Sequence, residues 1–299
     1  MNIILSSISQ GLLWSIMAIG VYLTFRILDV ADLTTEGSFP LGAAICGSLL
    51  VNGISPWIAT LLAFIGGAAA GLVSGYLHVK WRIPALLAGI ITMTGLYSIN
   101  LRIMGQANLY ILGEGTLIQS VQDLGVSKTV AVLIVGTLAV TLVIGLLHLF
   151  FHTEIGLAIR STGDNHAMSE ANGIRTGSMK VIGYMLGNGL IALSGALLTQ
   201  NNGFADISMG IGTIVIGLAS IIIAEVFFHR LTLAKRLLTV VLGSIVYRLL
   251  LLLVLEMNVD PQDLKLFSAI LLAIALGLPA IQSRLPKLTS TKTKGGSLS

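Results

Sequence analysis

From Thr129 to Phe151 the chain carries no Asp, Glu, Lys or Arg, and stretches of the same kind recur along most of its length. A helix rises about 1.5 Å per residue, so about 20 apolar residues cross the hydrocarbon core of a bilayer. On that rule about nine segments qualify: residues 8–28, 39–51, 56–79, 84–104, 129–151, 178–200, 209–228, 237–256 and 264–281. The second is too short to cross alone unless residues 35–39 join it; a broken or re-entrant helix is the other reading. The expected fold is therefore all-α, a polytopic transmembrane helical bundle of about nine spans (roughly eight to ten).

Composition points to lipid as the solvent. Only 10% of the residues are charged and 55% are hydrophobic, whereas a soluble domain carries about 25% charged residues. So few charges cannot cover a water-facing surface. Glycines number 34 and aromatics make up only 6%, which suits helices packed closely in a membrane. The runs Gly66-Gly67 to Gly71 to Gly75, and Gly183 to Gly187, read as small-residue packing faces rather than phosphate loops. The single Cys46 excludes an intrachain disulfide and a metal site of several cysteines. No metal centre is expected. The first span lacks the basic flank of a signal peptide and is read as retained. Residues 1–282 are expected to form one transmembrane domain. Residues 283–299, rich in Ser, Thr, Lys and Gly, are expected to be a disordered basic tail.

The charges set direction. Lys80 and Arg82 lie between the third and fourth segments; Arg160, Arg175 and Lys180 follow the fifth; Arg230, Lys235 and Arg236 follow the seventh; Arg284, Lys287, Lys292 and Lys294 follow the last. With nine spans all four groups share one side, which the positive-inside rule makes cytoplasmic. The intervening connection 105–127 carries Glu114 and Asp123 but no Lys or Arg. The N-terminus then lies outside and the C-terminus inside; if residues 39–51 form a re-entrant helix, the N-terminus lies inside and the rest is unchanged. A net charge of +4 is explained by this loop bias, and nucleic-acid binding is not expected.

Two short passages echo each other. Ala31-Asp32-Leu33-Thr34 follows the first span and Ala205-Asp206-Ile207-Ser208 follows the sixth. An odd number of spans separates them, so they would be inverted copies, an arrangement that places a substrate path near the midplane. Simple capping turns are the alternative.

The connection 152–178 is long, polar and not of low complexity. Ile155, Leu157, Ala158 and Ile159 recur with helical spacing. Asp164 or Asn165 can cap a following short helix, and Gly173 can end it. Gly163 is read as permitting a tight turn. Small helices lying along the membrane face are implied, of a kind that a cytoplasmic partner can grip in a groove. The pattern E-x-G-x-A-x-R-x-x-G-x-N, followed by N-G-I, resembles the cytoplasmic coupling loop of ABC permeases of the branched-chain amino acid and ribose type. In that family the loop docks into a cleft on an ATP-binding subunit. By this resemblance Glu154, Gly156, Arg160, Gly163, Asn165, Gly173 and Ile174 fall on matching positions. The passages Phe25 through Ala43 and Lys80 through Ile90 are similar to the family's other turns. Ribose-type members carry a further leading helix that is not seen here. Within the group, TFRILDVADLTTEGSFPLGA looks most like permeases assigned to tryptophan or tyrosine uptake.

The resemblance implies a permease subunit of an ATP-driven importer in a bacterial cell (inner) membrane. It implies an ATP-binding subunit, an extracytoplasmic substrate-binding protein and a second copy or a paralogous permease as partners. It implies no cofactor on this chain, with ATP held by the partner; no P-loop occurs in the sequence. An enzyme is not expected, because no nucleophile motif or convergent acid–base cluster is present.

Polar residues at membrane depth are costly, by about 2.5–3.5 kcal/mol for a central charge. Asp32, Thr34, Thr35, Asn188, Asp206 and Arg248 are the candidate path residues. Each has a plainer reading. Asp32 and its neighbour Glu36 could cap the next helix. Asn188 could hydrogen-bond between helices. Arg248 could pair with Glu256 or with backbone carbonyls, and Glu225 with His229 or Arg230. An ion-coupled secondary transporter is the alternative function, although the mid-span acids it usually needs are few.

Overall fold

A computed structural model of the chain describes residues 2–227, 232–256, 263, 266–270 and 272–273. Helix α1 (Asn2–Tyr22) ends in a π-helical turn, Leu23–Ile27, in which the Leu28 N–H reaches back to the Leu23 carbonyl at 3.1 Å. There follow α2 (Thr35–Val51), α3 (Pro56–Val79), α4 (Ala85–Met104), strand β1 (Asn108–Tyr110), α5 (Leu117–Gln122) and α6 (Lys128–Phe150). Two small helices, α7 (Glu154–Asp164) and α8 (His166–Ala171), precede the 27-residue α9 (Thr176–Asn202). Strand β2 (Phe204–Asp206), a 3-10 turn at Ile207–Gly210, α10 (Thr213–Phe227) and α11 (Leu233–Glu256) complete the order.

Among the described residues, seven stretches are long and apolar enough to cross a membrane. They coincide with seven of the expected segments. Helix α2 is the short one, and residues 35–39 do join it, giving 17 residues. The last expected segment, 264–281, lies mostly outside the described residues, as does the tail 283–299. The ribbon of β1 and β2 was not expected from sequence; it pairs Asn108 with Asp206 across two distant connections.

The connections sort onto two faces. On one, Gly163 of α7 packs against the carbonyl of Ile27, and Tyr76 and Lys80 at the end of α3 border a cleft with Glu170 and Arg175. On the other lie the β-ribbon and α5, whose Leu117 N–H donates to Gln200 Oε1 near the end of α9 at 2.9 Å. Successive spans therefore alternate in direction between an α7–α8 face and a ribbon face. Gln200 also donates to Thr60 Oγ1 at 2.8 Å and to Cys46 Sγ at 3.3 Å, joining α9 to α3 and α2.

Helix α9 is the hub, packed on α1, α2 and α3. The expected glycine faces are what permit it. A Cβ on Gly67 or Gly71 would collide with the α9 carbonyls of Asn188 and Tyr184, and one on Gly42 of α2 with the Ala192 carbonyl. With lipid as solvent, dispersion contacts between close backbones carry the association. Gly71→Leu is expected to cost at least about 1–3 kcal/mol by overpacking; a fluorescence size-exclusion thermal ramp in detergent should show a lower midpoint, whereas Gly95→Leu, with no atom within 4 Å of its Cβ, should not.

Helices α2 and α10 both begin inside the bundle rather than at its surface. After Ile27 the chain turns back inward, and Asp32 Oδ1 accepts from the Thr34 N–H at 2.9 Å. After β2 it also turns inward, and Asp206 Oδ1 accepts from the Ser208 N–H at 2.6 Å. Both passages are capping turns, the plainer reading of the echo. They also face opposite sides and lead into helices of opposite direction, as inverted copies would. The two helix starts meet. Glu36 Oε1 accepts from the Gly212 N–H at 3.0 Å, so it caps α10 and not its own helix. Pro40 has no N–H for the Glu36 carbonyl, and Gly210 packs against that freed carbonyl.

Candidate functional site

The most distinctive surface is the pair α7 and α8. Helix α7 starts because Thr153, extended at its N-cap, accepts from the Gly156 N–H through Oγ1 at 3.3 Å. Its inner face is Gly156, Ile159 and Thr162, all buried. Two glycines hold that face down. A Cβ on Gly156 would meet the Phe150 carbonyl, and one on Gly163 the Ile27 carbonyl. Gly163 is therefore not a turn residue, as the sequence suggested, but a close-approach residue within the helix. Between them these glycines pin α7 to the end of α6 and to the π-turn that ends α1.

The outer face of α7 is exposed and amphipathic. Glu154, Ile155, Leu157 and Arg160 all point away from the bundle. Ile155 is 47% and Leu157 53% exposed, and Met168 of α8 is 51% exposed. Asn165 caps α8 as expected, accepting from the Met168 N–H through Oδ1 at 2.9 Å. Ser161 Oγ and Ser169 Oγ, 2.6 Å apart, tie the two helices together. Gly173 ends α8 with φ +79°, and the Ile174 N–H returns to the Ser169 carbonyl at 3.0 Å. The seven loop residues thus divide by role: Glu154 and Arg160 are presented, Gly156 and Gly163 anchor, and Asn165, Gly173 and Ile174 shape the turn.

The candidate path residues do not form one group. Asp32, Thr34, Thr35 and Asn188 come together, all buried. Asn188 Nδ2 donates to Asp32 Oδ2 at 2.7 Å and to the Tyr184 carbonyl at 3.1 Å, and its Oδ1 accepts from Ser38 Oγ at 2.7 Å. Thr34 Oγ1 donates to Ser74 Oγ at 2.8 Å, and Thr35 Oγ1 to the Asp32 carbonyl at 2.9 Å. This network bridges the inward turn, α2, α3 and α9. Asp206 stands apart at the end of β2, where it caps the 3-10 turn that follows. Arg248 stands apart too. It does not pair with Glu256; its guanidinium lies 4.4 Å from the Trp14 ring centre, and Trp14 stacks on Phe39 at 5.2 Å. A cation–π contact suits a charge in a span without a carboxylate. Glu225 pairs with Arg26 of the π-turn at 2.7 Å; His229 and Arg230, its expected partners, lie outside the described residues.

Ser38, Ser74 and the capping role of Glu36 were not legible in the sequence. Their partners lie tens to more than a hundred residues away, and no local spacing signals such contacts. His148 and His152 lie one helical turn apart with ring centres at 4.4 Å, but among the described residues no group of three or more His, Cys, Asp or Glu is placed to hold a metal ion.

Comparison with known proteins agrees with a multi-pass helical bundle. Residues 3–277 match the family model described as the branched-chain amino acid transport system / permease component. A tyrosine transport system permease protein of Clostridioides difficile (strain R20291) is 41% identical over 287 residues, 96% of this chain and 95% of that one. An uncharacterized protein of Rickettsia prowazekii (strain Madrid E) is 33% identical, covering 92% of this chain and 97% of that one. A probable branched-chain amino acid transport permease protein of Methanocaldococcus jannaschii is 27% identical over 194 residues, 61% of each chain. No solved structure matches the chain. The named relatives are transport permeases rather than enzymes. A multi-pass bundle whose sequence follows the family model over nearly its whole length is a member of that family: the chain belongs to the branched-chain amino acid transport system permease components.

Proposed function

We propose that the chain is the membrane-spanning permease subunit of an ATP-driven ABC importer, that it carries amino acids of the aromatic or branched-chain kind, and that a separate ATPase drives it through residues 152–178. The observation that carries this reading is the outer face of α7. Ile155 and Leu157 are apolar, exposed and flanked by Glu154 and Arg160, the pattern of a helix laid in a partner's groove. The anchoring glycines make that helix a lever. A shift of α7 moves the end of α6 and the π-turn of α1 with it, because neither contact has slack. Closure of the ATPase would thus bias the bundle between two packings, which is the differential contact that a conformational change requires.

The basic residues Lys80, Arg82, Arg160, Arg175, Lys180, Lys235 and Arg236 support a cytoplasmic α7–α8 face. An extracytoplasmic binding protein would then deliver solute to the ribbon face, and a second copy or a paralogous permease would complete the gate. The amino acid cargo is supported by the tyrosine and branched-chain relatives.

The test is a mild-detergent pull-down of the tagged chain from its native membrane beside an Arg160→Glu variant. An ATP-binding subunit should come down with the wild type, and at least about tenfold less with the variant if the charge is part of a desolvated contact. Solute movement by the purified chain alone, without ATP, would sink the reading and favour a secondary transporter.

A further inference from the structure

Where α2, α4 and the 3-10 turn before α10 converge, a cleft of about 380 Å³ opens. Its volume is at the lower end of the range for small-molecule sites, about 300–1,000 Å³. Glu36, Met93, Tyr97, Asn100, Ser208 and Ile211 line it. Met93 through Asn100 occupy the middle of α4, and Glu36 sits where α2 begins inside the bundle, so the cleft lies at membrane depth.

Two acceptors mark this cleft. Glu36 places one carboxylate oxygen on the Gly212 N–H at 3.0 Å, and among the described residues it has no cationic partner. Asn100 is wholly buried; its Nδ2 donates to the Gly37 carbonyl at 3.2 Å, which fixes the amide, and its Oδ1 has no hydrogen-bond partner. A carboxylate and an orphaned carbonyl oxygen at membrane depth are both costly unless something donates to them. No Lys, Arg or His lines the cleft. The rest of its wall is mostly apolar or aromatic, broken by the hydroxyls of Thr94 and Ser208, with Tyr97 56% and Ile211 59% exposed.

We propose that this cleft recognises the ammonium group of a passing amino acid, with Glu36 as the charged acceptor, Asn100 as a second acceptor, and Met93, Tyr97 and Ile211 against the side chain. The proposal rests on the importer reading above. With one oxygen on the Gly212 N–H, the carboxylate keeps its other oxygen for a cation. The preferred solute has a primary amine and an apolar or aromatic body. Deaminated analogues gain nothing from Glu36.

Two measurements test it. First, the purified full chain in detergent is probed by ligand-observed saturation-transfer NMR with tyramine and with 3-(4-hydroxyphenyl)propionate, which share the ring but not the amine. The wild type should give a signal with tyramine at least tenfold stronger than with the acid. Glu36→Gln, which keeps an acceptor for the Gly212 N–H and so keeps the cap, should bring the two to within about twofold, and Tyr97→Ala should weaken tyramine several-fold. Second, uptake of labelled tyrosine by cells carrying the complete transporter should fall at least tenfold with Glu36→Gln at equal membrane abundance and equal ATPase co-purification. Equal binding of both probes by the wild type, or wild-type uptake by Glu36→Gln, overturns the proposal while the importer reading stands. If the wild type itself takes up no amino acid, the importer's cargo is wrong and this site falls with it.

Discussion

Asn188→Leu is expected to cost the chain about 3–5 kcal/mol. The substitution is nearly isosteric, so packing is not the issue. It withdraws the donor from Asp32 Oδ2 and the acceptor from Ser38 Oγ, leaving both without those partners in a site closed to water. An unsatisfied buried polar group costs about 1–3 kcal/mol and a charged one more. Removing Asp32 as well should recover part of the loss. The double variant Asp32→Leu, Asn188→Leu is expected to lie well above the sum of the two singles, because replacing both partners by apolar groups leaves less unpaired. Thermal unfolding in detergent, followed by size exclusion, measures all four corners of the cycle. Strict additivity would mean that the two side chains do not act as a pair.

The second large effect concerns function without stability. Ile155→Asp combined with Leu157→Asp is expected to reduce uptake by at least about 100-fold, since an apolar anchor at the centre of an interface is typically worth 2 kcal/mol or more and here two are replaced by charges. The unfolding midpoint should stay within about 0.5 kcal/mol of wild type, as for other exposed positions, because both side chains point away from the bundle and α7 is held from its other face by Gly156, Ile159 and Gly163. Measured together, uptake, membrane abundance and ATPase co-purification separate the outcomes. Retained uptake with the double variant would mean that the partner grips the chain elsewhere. A control at Leu138, 65% exposed on a spanning helix rather than on α7, should leave ATPase co-purification unchanged when replaced by Val.

Much of this molecule follows from local rules. The seven spanning helices among the described residues were readable because about twenty mostly apolar residues with few charges admit few other fates in lipid. The caps at Asn165 and Gly173 were readable because each needs only its own neighbours. The glycine runs on α3 and α9 were readable as packing faces, since a repeat of four places small residues on one side of a helix. The loop 152–178 stood out because a long polar connection between two strong spans is unusual unless it has a task.

What escaped the sequence is everything decided by partners far apart in the chain. Glu36 could have capped the helix that contains it; only the convergence of α2 and α10 aims it at Gly212. Gly163 read as a turn residue, and only the nearness of the Ile27 carbonyl makes it an anchor. Arg248 had Glu256 within reach in sequence terms, yet the fold offers the face of Trp14. The β-ribbon joins two connections nearly a hundred residues apart, through strands too short to show alternation. By itself the sequence determined the solvent, the helices and their ends, because those depend on burial in lipid and on bonds within a few residues. The tertiary structure alone decided which polar groups meet, because a carboxylate at membrane depth takes whatever donor the packing brings within 3 Å, and that donor's address is not written near it.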